Sequence, residues 1–202
     1  NQEIPNADVC VLSGPSHAEE VSRHIPTTCV VGAKTKKTAE YVQDIFMNDN
    51  FRVYTSPDLI GIELGASLKN VIALASGIAS GLGYGDNMKA AVVTRGLAEM
   101  IRVGNVIGCS KDTFYGLAGV GDMIATATST NSRNYNCGKL LGEGKNMEEA
   151  NKIEIVNTTY EFKKIFNELV TLAKGRLGTE RPIEFRYHMA EDIPAVLYGY
   201  ES

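Results

Sequence analysis

In the first 55 positions of the chain, apolar residues form short β-branched runs separated by segments with helical spacing. Residues 27–32 read Thr-Thr-Cys-Val-Val-Gly and predict a buried strand, because β-branched side chains favour an extended backbone. Residues 36–47 carry apolar positions three to four residues apart, which predicts an amphipathic helix. Strands that alternate with helices indicate a parallel or mixed sheet. The predicted strands cover residues 9–12, 27–32 and 51–54, with one or two helical turns over 16–23.

After Pro57 the strand pattern stops and long helical patterns begin. Residues 58–80 have an apolar stripe at helical spacing, together with small residues that allow close helix packing, and predict one long helix. Asp86 or Asn87 is expected to cap a second long helix, which runs to about Ile107 and ends at the following glycine.

The remaining pattern is also helical, so the fold class we predict is mainly α. An all-α domain over residues 56–202 follows the last strands of an α/β domain over residues 1–55. Three strands are few for a complete doubly wound sheet, which suggests the end of one. The shorter helices are predicted over 111–116, 120–127, 132–142, 147–151 and 158–174.

Composition excludes several classes of function. The 202 residues have a formal net charge of −4 and no polybasic block, which argues against a nucleic-acid partner. The apolar runs are interrupted by polar residues or glycine, so no membrane insertion is expected. The four cysteines are widely spaced without a CxxC pair, which indicates reduced thiols in a cytoplasmic protein and no metal site. A chain that opens at a strand without an initiator Met is expected to be part of a longer protein.

Two glycine-containing turns are candidate ligand loops. The GxGxG run at 81–85 follows a helix instead of a strand, so it does not fit the dinucleotide fingerprint and is better interpreted as an interhelix loop. The Ser-Gly-Pro-Ser turn at 13–16 stands at the carboxyl end of a strand, where ligands approach open α/β sheets. Gly14 permits close backbone approach there. Ser16 offers a hydroxyl for a ligand, but from this turn alone the favoured interpretation is that it caps the next helix.

Lys69 is the strongest single candidate for chemistry. It lies in the middle of the apolar helix predicted over 58–80, and no other Lys or Arg occurs between Arg52 and Lys89. Such a lysine either extends its ammonium to the surface or serves chemistry in a cleft, where burial can tune it for proton exchange. The sequence pattern alone leaves both interpretations open.

Two polar clusters precede later helices. Asp122 follows Gly121 at the start of a helical pattern, where the ordinary interpretation is a helix cap. Ser132, Arg133 and Asn134 stand ahead of the next helix, where an arginine can grip a phosphate with help from the helix N-terminus. An exposed polar loop is the alternative for that cluster.

In combination, these motifs resemble NAD(P)-dependent glycerol-3-phosphate dehydrogenase, most closely the C-terminal portion of the bacterial type. The resemblance spans about residues 8–150. It rests on residues 12–21 (LSGPSHAEEV), 51–54 (FRVY), 60–72 (IGIELGASLKNVI), 81–87 (GLGYGDN), 94–100 (TRGLAEM), 116–122 (GLAGVGD) and 132–134 (SRN).

The resemblance implies a Rossmann domain, of which residues 1–55 would be the end, followed by a helical substrate domain. The family interconverts sn-glycerol 3-phosphate and dihydroxyacetone phosphate with NAD or NADP, supplying glycerol 3-phosphate for phospholipid synthesis. Lys69 matches the proton acceptor and is also a substrate-binding position. Gly14, Ser16, Asp122, Ser132, Arg133 and Asn134 match substrate-binding positions, and Ala18 and Arg133 match cofactor-binding ones.

The glycine-rich cofactor loop of the family lies outside these residues, so the isolated chain is expected to be inactive. Two alternatives stay open at this stage. One is a related Rossmann-plus-helical hydroxyacid dehydrogenase, and the other is a non-catalytic helical association module. The expected partner is a small-molecule phosphate substrate, and a homodimer is left open.

Overall fold

The computed structural model describes residues 7–150 of the chain, and this part is mainly helical with a small mixed sheet, as predicted. The helix predicted over 158–174 lies outside the described residues, whereas residues 147–150 are helical. The elements in chain order are β1 (Cys10–Ser13), α1 (Ala18–Val21), β2 (Thr27–Ala33), α2 (Lys36–Phe46), β3 (Phe51–Ser56), α3 (Leu59–Gly81), α4 (Asp86–Ile107), α5 (Lys111–Tyr115), a π-helical turn (Leu117–Gly121), α6 (Asp122–Thr128) and α7 (Arg133–Gly142).

The sheet combines both kinds of strand pairing. β2 pairs with β3 in parallel and with β1 in antiparallel orientation, and β2 lies in the centre. Val31 and Val53 are fully buried and pack against Ala39 of α2. Because β1 is antiparallel, its carboxyl end at Ser13 lies opposite Val30, halfway along β2. The sequence argument had placed the turn after β1 at the edge where the parallel strands end. The antiparallel pairing shows that the turn does not lie there.

The central element of the helical part is α3, which packs against α4, α6 and α7 and also contacts β1. Asp58 caps its first turn, since Asp58 Oδ1 accepts from the Gly61 amide at 2.9 Å. By length and composition alone α3 would also fit a membrane-spanning helix. Its packing against three other helices identifies it as the core helix of the domain instead.

The start of α4 differs from the prediction. Gly85 occupies the cap position and Asp86 is the first helical residue, so neither Asp86 nor Asn87 caps the helix. The Asp86 carboxylate instead pairs with Lys89 Nζ at 2.6 Å, one turn further on. The helix ends as predicted, because Gly108 adopts a left-handed backbone with φ of 89° that glycine tolerates.

Helices α3 and α7 approach each other at glycines on both sides. A Cβ on Gly77 or Gly81 of α3 would meet the backbone of α7, and a Cβ on Gly138 or Gly142 of α7 would meet the backbone of α3. In each helix the two glycines are four residues apart and therefore lie on one face. The small residues expected to permit close packing thus define the line along which α7 docks.

The segment predicted as a helix over 120–127 begins differently. Residues Leu117–Gly121 form a π-helical turn, in which the Gly121 amide donates to the Gly116 carbonyl at 3.2 Å, and α6 follows from Asp122. Gly119 makes this possible, because a Cβ there would collide with the backbone of Phe114. Such wide turns often mark functional sites in helices.

Candidate functional site

Lys69 and Asp122 form an ion pair in the interior of the helical part. Lys69 Nζ lies 2.7 Å from Asp122 Oδ1, and the two side chains are 20% and 4% exposed. The lysine thus does not extend into solvent, which was the structural alternative for it. A nearly buried carboxylate needs such a partner, because removing a charge from water is costly unless it is paired.

The face of α3 that carries Lys69 explains how the pair forms. One face of α3 carries Gly65, Lys69 and Ser76, because spacings of four and seven residues bring side chains to the same side of a helix. A Cβ on Gly65 would stand 2.5 Å from the Ala118 carbonyl oxygen, so this glycine admits the π turn against α3. One turn later Lys69 meets Asp122, and further along Ser76 Oγ donates to the Ala127 carbonyl at 2.7 Å.

Asp122 is the centre of a small buried network. Ser13, the last residue of β1, donates from Oγ to Asp122 Oδ2 at 3.3 Å. Thr126, one turn further along α6, donates to the Asp122 carbonyl at 2.7 Å and lies 3.3 Å from Oδ1. The Asp122 side chain therefore does not act as a simple helix cap, which was the ordinary interpretation from sequence, and its contacts reach three elements.

The Ser-Gly-Pro-Ser turn lies against β2 and α6. Gly14 has φ of 149°, and a Cβ there would lie 2.9 Å from Cys29 Cα, so glycine is required both by conformation and by space. Ser16 Oγ donates back to the Gly14 carbonyl at 3.0 Å and does not cap α1, whose cap position is His17. The His17 ring Nε2 lies 3.0 Å from the Ala125 carbonyl oxygen of α6.

Cys29 lies under this turn and adds no charge to the site. Burial raises the pKa of the Cys29 thiol to about 11, despite the opposing influence of a hydrogen bond with Ser16 and of nearby Lys69. The thiol is therefore neutral at physiological pH. It fills space beneath Gly14 and is unsuited to act as a nucleophile.

The N-terminus of α7 carries the second polar cluster. Ser132 is buried and accepts from the Tyr135 amide at 3.2 Å, so its hydroxyl caps the helix. Arg133 is exposed at the first helical position and has no carboxylate partner among residues 7–150. Asn134 Nδ2 donates to Asn70 Oδ1 at 3.0 Å, which brings this helix end beside the residue that follows Lys69.

The structure thus brings most of the predicted residues together around the Lys69–Asp122 pair. The turn at Gly14 and Ser16 reaches it through Ser13, and the α7 cluster reaches it through Asn70. Ala18 lies exposed at the first position of α1. A cleft of about 440 Å³ between β2, β3, α3 and α5 is lined by none of the predicted site residues.

Three residues of the network were missed by the sequence argument: Ser13, Asn70 and Thr126. Thr126 could have been found, because it stands four residues after Asp122 on a predicted helix and such side chains are neighbours. Asn70 is adjacent to Lys69 but points to α7, which only the packing of α3 reveals. Ser13 contacts a residue 109 positions away, and no local spacing encodes that contact.

Chemically, the arrangement offers a proton carrier on α3 and a cationic N-terminus on α7, two helices that are in contact. Lys69 Nζ can give or take a proton, and its carboxylate partner holds the nitrogen in a fixed position. The exposed Arg133 side chain at a helix N-terminus suits an anion such as a phosphate. No group of metal-binding side chains occurs within the described part of the chain.

Comparison with known families gives two matches that together cover most of the chain. The family model of the NAD-dependent glycerol-3-phosphate dehydrogenase C-terminus matches residues 58–201. The model of the N-terminus of the same family matches residues 1–39.

Individual relatives agree with these matches. The chain is 52% identical over 196 residues to glycerol-3-phosphate dehydrogenase [NAD(P)+] of Agathobacter rectalis, covering 97% of this chain and 56% of the relative. It is 57% identical over 150 residues to the enzyme of that name from Bacillus subtilis, covering 73% of this chain and 44% of the relative. The chain therefore spans about half the length of the curated relatives it matches.

Solved structures show the same fold. The glycerol-3-phosphate dehydrogenase of Coxiella burnetii superimposes with a TM-score of 0.73 at 36% identity, over 85% of this chain and 55% of that one. The glycerol-3-phosphate dehydrogenase of Saccharomyces cerevisiae gives a TM-score of 0.63 at 27% identity, over 85% and 56%.

Proposed function

Because the chain belongs to the NAD-dependent glycerol-3-phosphate dehydrogenase family, we propose that it provides the substrate domain of an oxidoreductase. The proposed reaction interconverts sn-glycerol 3-phosphate and dihydroxyacetone phosphate with NAD or NADP and supplies glycerol 3-phosphate for phospholipid synthesis. The proposal places the protein in the cytoplasm, acting on a small-molecule phosphate, as a single chain or as a homodimer. Its domain division is residues 1–55 and residues 56–202.

Lys69 is the proposed proton carrier. Oxidation of a secondary alcohol requires loss of the hydroxyl proton, and a neutral amine at Nζ can accept it. In the direction of reduction the ammonium returns the proton to the carbonyl oxygen. Asp122 supports both roles, because its carboxylate lies 2.7 Å from Nζ and fixes the position of the nitrogen before substrate arrives.

The phosphate of the substrate is assigned to the N-terminus of α7. Arg133 is exposed there and supplies a guanidinium that can contact two phosphate oxygens at once. Asn134 is tied to Asn70 on α3, which keeps this helix end at a fixed distance from Lys69. The proposed substrate has three carbons, so its phosphate and its reacting carbon must be recognised close together. Two helices in contact meet that requirement.

The residues present fit a nicotinamide cofactor only in part. Arg133 and Ala18 are both exposed and are the positions assigned to it, and an exposed arginine suits the anionic pyrophosphate. The cofactor, when bound, exchanges a hydride with the carbon that bears the oxygen. No glycine-rich strand–turn–helix unit of the kind that usually binds a dinucleotide occurs in the described residues. We propose the reaction for the whole protein, because the chain spans about half the length of its curated relatives.

The observation that carries the proposal is the partly buried ion pair of Lys69 with Asp122, in a chain that belongs to this family. Steady-state oxidation of reduced nicotinamide with dihydroxyacetone phosphate tests it, in the protein expressed from its gene with whatever codons precede Asn1. Lys69→Ala should lower kcat by roughly 10²–10⁴-fold, the usual contribution of general acid–base catalysis. Lys69→Arg should not restore it, because a guanidinium does not lose its proton near neutral pH.

Lys89→Ala is the matched control, since Lys89 also pairs with an aspartate but lies on α4, away from Asp122. It should keep the parent kcat. A Lys69→Ala variant within a few-fold of the parent would show that Lys69 is structural and that the assigned chemistry is wrong. Absence of turnover in the parent protein with either cofactor would reject the reaction itself.

A further inference from the structure

Ser13 stands at the junction between the Ser-Gly-Pro-Ser turn and the ion pair. It is the last residue of β1, it is buried, and its Oγ donates to Asp122 Oδ2 at 3.3 Å. The other two contacts to this carboxylate, from Lys69 and Thr126, both reach Oδ1. Within residues 7–150, Ser13 is therefore the side chain that donates a hydrogen bond to Oδ2.

We propose that Ser13 is a positioning residue, which sets the orientation of the Asp122 carboxylate and thereby the place of Lys69 Nζ. A carboxylate bound at one oxygen can rotate about its terminal bond, because that torsion has a broad energy well. A donor on the other oxygen removes this freedom. The orientation of the carboxylate is a property of the chain itself, whereas the effect of Ser13 on turnover rests on the proposed function.

The turn that follows Ser13 is docked on the same helix by a second contact. His17 Nε2 lies 3.0 Å from the Ala125 carbonyl oxygen, so α6 is contacted both before and after residues 14–16. Those residues include the proposed substrate contacts at Gly14 and Ser16. Ser13 thus connects the position of the substrate turn to the orientation of the acid that holds the proton carrier.

Neighbouring groups do not duplicate this contact. Thr126 Oγ1 lies 3.3 Å from the carboxylate, as Ser13 Oγ does, but it contacts Oδ1 and not Oδ2. Its shorter hydrogen bond of 2.7 Å goes to the Asp122 backbone carbonyl. The Cys29 thiol is close to the pair, but its pKa, raised by burial to about 11, leaves it uncharged near neutral pH. Removing the Ser13 hydroxyl therefore frees Oδ2 without a replacement from these side chains.

A chemical test on the 202-residue chain is independent of any activity. Acetic anhydride acylates neutral amines, and mass spectrometry reports the rate at Lys69. Ser13→Ala should change the ratio of the rate at neutral pH to the rate at strongly alkaline pH by roughly threefold to tenfold, the range that loss of one hydrogen bond produces. The alkaline rate corrects for any change in access of the reagent. An unchanged ratio would overturn the inference.

Ser76→Ala is the matched control for this experiment. Ser76 is also a buried serine that donates to α6, with a shorter bond of 2.7 Å, but its acceptor is the Ala127 carbonyl and not the carboxylate. It should lower stability at least as much as Ser13→Ala and leave the acylation ratio of Lys69 within about twofold of the parent, because no donor to Asp122 is lost. An equal change of the ratio in both variants would show that Ser13 has only a packing role.

Kinetics of the complete protein then test the link to turnover. Ser13→Ala should lower kcat by about tenfold, displace the alkaline limb of the pH–rate profile and leave KM for dihydroxyacetone phosphate within roughly threefold. Ser13→Thr keeps the hydroxyl and should keep the parent pH profile. A parent protein without turnover, together with a changed acylation ratio, would reject the proposed function and keep the positioning role. A parent with turnover and an unshifted Ser13→Ala profile would reject that role.

Discussion

Gly77→Ala tests the close approach of α3 and α7 on which the second half of the site depends. A Cβ on Gly77 would press against the Tyr135 carbonyl oxygen and would lie 2.8 Å from the Lys139 amide nitrogen. Both atoms belong to the backbone of α7, so no side chain can rotate to relieve the contact. The whole helix must shift, and Arg133 and Asn134 stand at its first two positions.

The expected loss of stability follows from two opposing effects. Replacing a glycine by alanine inside a helix stabilises by about 1 kcal/mol through backbone entropy. Overpacking a close contact costs about 1–3 kcal/mol, occasionally more, and rigid backbone atoms favour the upper end of that range. We expect a net loss of about 2 kcal/mol in the free energy of unfolding. For a chain of this size that corresponds to a fall in Tm of roughly 4–8 °C.

Thermal and urea denaturation of the 202-residue chain, followed by circular dichroism, measure this loss. Gly85→Ala is the control, because Gly85 has an ordinary backbone and a Cβ there would meet nothing within 4 Å. It should cost less than about 1 kcal/mol, the usual effect of a poorer cap residue. If Gly77→Ala leaves the chain as stable as the parent, the helices do not approach as described.

A double variant sharpens the test. Gly138→Ala places a Cβ against the Leu74 carbonyl and 3.0 Å from the Ile78 amide, on the other side of the same contact. Once one Cβ has pushed the helices apart, the second should cost less, so the double variant should lose less stability than the two single losses combined. Strict additivity would mean that each site relaxes locally and that the helices do not share one line of contact.

The other predictions concern Asp58 and Arg133. Burial disfavours ionisation of Asp58, but hydrogen bonds from Thr113, Gly61 and Ser110 outweigh it and hold the carboxyl pKa below its ordinary value of 3.8. The contribution of Asp58 to stability is therefore complete above pH 3.8 and is lost as the pH falls through the lower pKa of the folded state. In urea titrations at several pH values, the free energy of unfolding of Asp58→Asn should fall less steeply toward acid pH than that of the parent. Arg133→Ala should raise KM for dihydroxyacetone phosphate by roughly 10–100-fold, through loss of a charge-assisted contact, with a smaller change in kcat. Lys139→Ala, on an exposed face of α7, should leave KM unchanged. If both substitutions raise KM equally, Arg133 does not bind the phosphate specifically.

Much of the fold could be predicted because the governing interactions are local. The β-branched run at residues 27–32 forms β2, and the apolar stripe at residues 58–80 forms α3 within one residue at each end. What local pattern could not supply was strand direction. The chain after β1 returns through α1 to pair antiparallel with β2, and this pairing depends on contacts between distant segments and not on residue preference.

The site shows the same division between local and distant information. Lys69 could be singled out because a lone cation in an apolar helix requires a partner, and the structure supplies one. The identity of that partner could not be predicted from local spacing, since 53 residues separate Lys69 from Asp122. Sequence reasoning favoured helix capping for Ser16 and Asp122, because a small polar residue before a helix usually has that role. At Ser16 a local hydrogen bond to the Gly14 carbonyl took precedence, and at Asp122 the tertiary contacts with Lys69 and Ser13 did.

The π turn at Leu117–Gly121 makes the length of this segment as important as its composition. An α-helix rotates by about 100° for each residue, and a wide turn accommodates one residue more than a regular turn does. A chain shortened by one residue here would keep every functional side chain. It would nevertheless present the acid of α6 to a different side, away from the lysine. The number of residues in the turn thus determines which side of α6 faces α3. An alignment of family members that opens a gap in this turn would pair residues that do not correspond.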